Sequence, residues 1–245
     1  MAAVLPLLRR RKWQLSATGL LLGSMAPDFE KFMRMSLHNG HSHTWGSIFY
    51  FSVPVALGLA FVFHLVVRDA LLAHLPPPLY QRLATTHRLG WPAYFRRRYV
   101  RVLLSVVLGA ASHILWDALT HRRPYLASYL PELLVRLPLP LHPPLFKVLE
   151  LLSSVGGLAA LAFFVWRLPR TTTAYNSPAA VRRYWRLVGT TAGLLLLVRV
   201  LPVASSLHFW DVVVSALSTL MLGVVVASVY YPSRATVPAG AKVLS

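Results

Sequence analysis

The sequence contains no cysteine and very few acidic residues. The lack of cysteine excludes disulfide bonds and thiolate metal ligands, so any metal must be held by nitrogen and oxygen atoms. Only 7 acidic residues stand against 25 basic ones, which gives a formal net charge of +18 at pH 7. In a hydrophobic chain, basic loops set the topology and contact anionic lipid headgroups. We therefore expect membrane lipid as a partner and no nucleic acid, since the basic loops carry no nucleic-acid motif.

Long apolar runs dominate the rest of the chain. Hydrophobic residues make up 56% of 245 residues, and the mean hydropathy is +0.56. Five runs are long enough, at about 1.5 Å per residue, to cross a hydrocarbon core of roughly 30 Å. They are Gly46–Val67, Val102–Leu119, Val148–Trp166, Leu187–Ala204 and Val212–Tyr230. With the shorter run Trp13–Ala26, they predict an all-α fold, a polytopic membrane helix bundle of five long spans plus a short N-terminal hydrophobic helix. We expect a single integral membrane domain over residues 1–245.

The distribution of basic residues predicts the orientation. If residues 13–26 also cross the membrane, 18 of the 25 basic residues lie on the side of the two termini and six on the other. If these residues do not cross, the split is 14 against 10. The first arrangement fits the positive-inside rule much better. We therefore expect six crossings, with both termini in the cytoplasm and the first run retained as a signal anchor.

A histidine and carboxylate stripe is predicted at the end of the run Val102–Leu119. His113, Asp117 and His121 are four residues apart and therefore share one face of a helix. An imidazole and a carboxylate at this spacing can bind one metal ion. The alternative is a polar stripe that packs against other helices.

Two further motifs are expected at the same membrane face. Residues 26–30 read Ala-Pro-Asp-Phe-Glu, and residues 41–44 read His-Ser-His-Thr directly before the run Gly46–Val67. Asp28 can instead cap a turn, and the two histidines can be hydrated loop residues. Ser42 or Thr44 is expected to cap the following helix. Three segments that converge on one face favour a shared metal site.

The order of these motifs resembles the bacterial membrane family called domain of unknown function 4184. That family is similar to predicted membrane-bound metal-dependent hydrolases, whose pattern resembles the helical zinc phospholipases. The resemblance implies a location in the bacterial cytoplasmic (inner) membrane and a divalent metal, zinc first, with manganese or iron as alternatives. It implies the metal ligands Asp28, His43, His113 and Asp117, supported by Glu30, His41 and His121. Members of the family carry a Thr-His or Ser-His pair before Ala-Ala-Val-Leu-Pro, where this sequence has Met1.

These motifs predict a metal-dependent hydrolase that acts on a phosphoester or lipid-headgroup bond. Glu30 and His41 are the expected catalytic residues, and Glu150 a supporting one. Arg199 interrupts an apolar run, so we expect it to pair with Asp211 or Glu150, or else to bind a substrate phosphate. Two alternatives remain open: a transporter or proton-coupled carrier that uses the same groups as a relay, and a non-catalytic membrane scaffold with a structural metal.

Overall fold

The computed structural model describes residues 15–38, 40–83, 90–120, 130–138, 142–170, 176–203 and 208–232. The helices are α1 Ala17–Met25, α2 Phe29–Arg34, α3 Ile48–Ala73, α4 Pro77–Leu83, α5 Trp91–Thr120, α6 Leu145–Arg167, α7 Pro178–Val200 and α8 Phe209–Tyr230. Among these residues, the only extended pairing joins Arg136 and Pro144. The predicted all-α fold is confirmed.

Five helices are long and apolar enough to cross a membrane: α3, α5, α6, α8, and α7 with the turn that extends it to Val203. They coincide with the five predicted runs, so this prediction is confirmed. The helices also extend beyond the apolar runs. For example, the segment that begins at Trp91 passes through a stretch rich in arginine before it reaches Val102. It is not one continuous helix, because Arg98 has non-helical backbone angles (φ −134°, ψ 24°) and a kink there separates a short basic helix from the apolar span.

The short N-terminal run contains one brief helix. Residues 13 and 14 lie outside the described part of the chain, and α1 covers nine residues, Ala17–Met25. The Ser16 Oγ accepts a hydrogen bond from the Gly19 N–H at 3.2 Å and caps the helix. Nine residues extend roughly 14 Å, less than half of a hydrocarbon core. Whether the whole run crosses the membrane stays a prediction.

The chain divides into two compact units whose segments alternate along the sequence. The first contains α1, residues 41–56 and residues 100–164. Its buried core includes Ile48 of α3, which packs with Ala110 and Ile114 of α5. This contact places the start of α3 beside the last turns of α5. The single membrane domain over residues 1–245 stays a prediction.

The second unit contains α2, residues 57–99 and residues from 165 onwards. Its core includes Tyr184 and Val188 of α7, packed with Ala70 of α3 and Ala227 of α8. The Tyr184 hydroxyl lies 2.9 Å from the Ser228 Oγ. These contacts join α7 and α8 as neighbouring antiparallel helices.

The surface of α6 is apolar and open. No residue in its most apolar stretch is buried, and Leu158 is 70% exposed. In water, such a surface would be an association hazard, whereas in a bilayer it contacts acyl chains. The helix therefore supports lipid contact.

Candidate metal centre

The site rests on a close contact between α1 and α5. Gly23 of α1 lies against the backbone of Val106, and a Cβ atom at Gly23 would overlap that backbone. Gly109 of α5 is packed in the same way against the backbone of α1. At the other end of α1, the Ser16 N–H donates to the Ser105 Oγ at 2.8 Å. Small residues at these positions bring the end of α1 beside the last turns of α5.

The backbone of α1 orients the ring of His113. Its Nδ1 lies 2.9 Å from the carbonyl oxygen of Ser24. A carbonyl oxygen can only accept, so Nδ1 carries the proton and the neutral ring has its lone pair on Nε2. That Nε2 is buried and lies 3.9 Å from Oδ1 of Asp117, one helical turn further along α5. The ring is held in the tautomer that metal ligation through Nε2 requires.

His43 reaches the site from the loop before α3. Thr44 and Ser47 exchange hydrogen bonds, because each backbone N–H donates to the other hydroxyl at 3.1 Å. The residue that caps this helix is Ser47, and its side chain forms no capping hydrogen bond, so the predicted cap at Ser42 or Thr44 is wrong. The Ser47 Oγ also donates to the Ser42 carbonyl at 2.7 Å, and the Ser42 Oγ lies 2.9 Å from Nδ1 of His43. These bonds hold the loop against the beginning of α3.

Two imidazoles and a carboxylate converge in the first unit. The Nε2 of His43 lies 3.5 Å from Oδ2 of Asp117, and the rings of His43 and His113 are 5.5 Å apart between centroids. The three side chains are only 7%, 13% and 15% exposed for His43, His113 and Asp117. Two ligands of a tetrahedral ion, each about 2.0–2.1 Å from the metal, are roughly 3.3 Å apart. The observed separations of 3.5 and 3.9 Å need only small side-chain shifts to reach that value.

Asp28 follows the buried Pro27 at the end of the turn after α1. A carboxylate and two imidazoles, such as those of Asp28, His43 and His113, are ligands that a divalent metal ion accepts. The Nζ of Lys31 also lies 2.6 Å from Oδ1 of Asp28.

The two residues predicted to be catalytic occupy different surroundings. Glu30 is buried, and its Oε1 accepts hydrogen bonds from the Nε of Arg34 at 2.8 Å and from the Gly40 N–H at 3.1 Å. His41 is exposed, and its carbonyl accepts a hydrogen bond from the Tyr50 hydroxyl at 2.9 Å. Their catalytic roles stay predictions.

The supporting residues are spread over the chain. His121 lies outside the described residues. Glu150 lies on α6, where its carboxylate binds the Nζ of Lys147 at 2.8 Å. Arg199 is half-buried near the end of α7. The Oδ1 of Asp211 accepts the Leu37 N–H at 2.8 Å, no ion pair of Asp211 with Arg199 is found among the described residues, and the role of Arg199 stays a prediction.

Three residues that shape the site, Ser24, Gly19 and Gly23, are not among the predicted site residues. Ser24 acts through its backbone carbonyl, which no side-chain pattern can identify. Gly19 and Gly23, however, form a Gly-x-x-x-Gly pattern, a readable signal for close helix packing. That signal could have placed α1 against another helix.

Comparisons with known proteins identify a family. No curated protein and no solved structure matches the chain. A family model described as Domain of unknown function (DUF4184) matches residues 1–229. Because the match covers nearly the whole sequence, the chain belongs to this family of unknown function.

Proposed function

We propose that this protein is a membrane-embedded, metal-dependent hydrolase that acts on a phosphoester or similar bond in a lipid headgroup. The observation that carries the proposal is the hydrogen bond from His113 Nδ1 to the Ser24 carbonyl at 2.9 Å. It directs the Nε2 lone pair of His113 toward the Asp117 carboxylate, beside the ring of His43. A histidine held by a carbonyl through its other nitrogen is the usual arrangement of a metal ligand.

The ligand chemistry favours a divalent ion. Asp28, His43, His113 and Asp117 would hold it, and with no cysteine in the chain all donors are nitrogen or oxygen. Two imidazoles with carboxylates suit zinc first, and manganese or iron as alternatives. When bound, such an ion supplies Lewis acidity and lowers the pKa of a coordinated water toward neutrality.

The remaining polar residues would handle protons and orientation. Glu30 would act as the general base, and the hydrogen bonds from Arg34 and Gly40 would hold its carboxylate in a defined position. His41 is exposed and can exchange protons with the solvent. Glu150 would act by supporting the start of α6 through its carboxylate, which accepts from the Nζ of Lys147 at 2.8 Å.

The location follows from the apolar helices and the family resemblance. We place the protein in the bacterial cytoplasmic membrane with both termini in the cytoplasm. The resemblance of the motifs to those of predicted membrane-bound metal-dependent hydrolases supports lipid-derived substrates. The surface of α6 would let such substrates reach the protein from the bilayer.

Metal analysis and a lipid hydrolysis assay together test this function. Mass spectrometry of the protein purified in detergent should find at least about one divalent metal ion per chain. After transfer to phospholipid nanodiscs, it should release phosphate-containing headgroups. His113→Ala should lose both metal and activity, because it removes a ligand. His38→Ala is the matched control, since His38 is an exposed histidine outside the cluster, and it should retain both.

Two other outcomes would contradict the hydrolase. Wild-type protein without metal would exclude the metal centre. Metal that is bound but no hydrolysis of any phospholipid or phosphodiester substrate would favour a scaffold with a structural metal.

A further inference from the structure

Arg199 is a cation surrounded by lipid-facing apolar residues. On the same stretch of α7, Leu194 is 64% exposed, Leu197 54% and Val198 72%. Arg199 itself is half-buried. Within the described residues, no side chain or backbone group forms a hydrogen bond or ion pair with its guanidinium. A guanidinium in hydrocarbon surroundings is costly unless it finds an anion or reaches the headgroups.

Asp211, the acidic residue of α8 nearest in sequence to Arg199, forms a hydrogen bond with a different segment of the chain. Asp211, in the first turn of α8, accepts the Leu37 N–H at 2.8 Å. One turn later, the Ser215 Oγ donates to the Met35 carbonyl at 2.9 Å. The segment at 35–37 therefore binds Asp211 and Ser215 at the beginning of α8, and neither side chain is bonded to Arg199 among the described residues. An anionic lipid headgroup is a further source of an anion for Arg199.

The register of α7 and α8 gives the depth of Arg199. Tyr184 lies beside Ser228, and Gly223 lies against the backbone of Val188. In an antiparallel pair with this register, Arg199 is level with the first two turns of α8. Phe209 and Trp210 begin that helix and are 71% and 59% exposed, as aromatic residues at a membrane interface are. Arg199 therefore lies about one turn inside the interface, from where its side chain can reach headgroup phosphates.

We propose that Arg199 binds the phosphate of a membrane phospholipid at this end of the α7–α8 pair. The planar guanidinium can donate two parallel hydrogen bonds to phosphate oxygens. The acyl chains of the same lipid would lie along the exposed leucine and valine side chains of α7. This site does not rest on the proposed metal chemistry, and it requires only the second unit.

Lipid binding to purified protein tests the site. Native mass spectrometry in a neutral detergent would count phosphatidylglycerol molecules bound to wild type, Arg199→Gln and Arg186→Gln. Arg186 is the matched control, an exposed arginine at the opposite end of α7. We expect Arg199→Gln to bind the lipid about tenfold more weakly, because a charge-assisted pair is lost, while Arg186→Gln binds as wild type does. Diacylglycerol, which lacks the phosphate, and inorganic phosphate, which lacks the chains, should both fail to compete.

Equal lipid binding by Arg199→Gln and wild type would overturn the proposal, as would equal losses in the two glutamine variants. The temperature of thermal unfolding in lipid-free detergent shows whether Arg199 also has a structural role. Arg199→Gln should unfold at the same temperature as wild type, and a large decrease would show that Arg199 has a structural partner instead. His113→Ala should keep the lipid, so failure of the metal centre and failure of this site are distinguishable.

Discussion

At the residue scale, Asp117 is the group that joins the two imidazoles. One of its carboxylate oxygens lies 3.5 Å from the Nε2 of His43 and the other lies 3.9 Å from the Nε2 of His113. The carboxylate can therefore bind the same ion as the histidines or hold their rings in place. In both cases its negative charge matters more than its size.

We predict that Asp117→Asn lowers metal affinity about tenfold to a hundredfold, the range found when a ligand or its supporting carboxylate is lost. The amide has nearly the same volume, so the unfolding temperature should change little. Competition against a chelator of known affinity would measure the effect.

Glu132→Gln provides the control, because Glu132 is an exposed acid in a separate turn. The metal affinity of Glu132→Gln should match that of wild type. If Asp117→Asn also matches wild type, Asp117 has no part in metal binding.

At the scale of elements, the contact between α1 and α5 decides where the site forms. The two helices approach so closely at Gly23 that backbone meets backbone. This contact brings the Ser24 carbonyl within hydrogen-bond distance of His113. A side chain at position 23 would push α1 and α5 apart. It would also move the Ser24 carbonyl away from His113.

Gly23→Ala should therefore destabilise the protein by about 1–3 kcal/mol, the usual cost of overpacking, and should also reduce metal retention. Thermal unfolding in detergent and metal content would be measured on the same sample.

Gly58→Ala is the matched variant, since Gly58 lies inside α3 with nothing within 4 Å of the added Cβ. There the alanine should be neutral or stabilising by about 0.5–1 kcal/mol, because it reduces the freedom of the unfolded chain. If the two alanine variants have equal stability, the close contact at Gly23 does not constrain α1.

At the scale of the whole molecule, the number and order of the apolar helices set the topology. Five helices can cross a membrane, and the basic residues are distributed unevenly between the segments that connect them. If the N-terminal run also crosses, both termini share the more basic side, which the positive-inside rule places in the cytoplasm.

Single-cysteine labelling can determine this orientation, because the chain has no cysteine of its own. His38→Cys and Ala179→Cys introduce thiols at exposed positions before α3 and in the first turn of α7. A membrane-impermeant maleimide should label position 38 in intact cells and position 179 only after lysis. The opposite pattern would invert the proposed topology.

Much of this architecture could be predicted from local sequence. The five spans follow from hydropathy and length, and the pairing of His113 with Asp117 follows from their spacing on a helix. A bilayer makes such predictions strong, because each crossing segment must satisfy its own backbone hydrogen bonds. The ends of the helices were less predictable, since a short basic helix that hydropathy alone excludes precedes the kink at Arg98 in α5.

Hydropathy and residue types are enough to identify a membrane protein, its helical spans and the side chains available for a metal site. The hydrogen bonds from His113 to the Ser24 carbonyl and from the Leu37 N–H to Asp211 are visible only in the folded chain. They cannot be read from the sequence because backbone groups are the same in every residue. Which of them meets a given side chain depends on how closely distant parts of the chain pack, and here glycines in α1 and α5 set that distance.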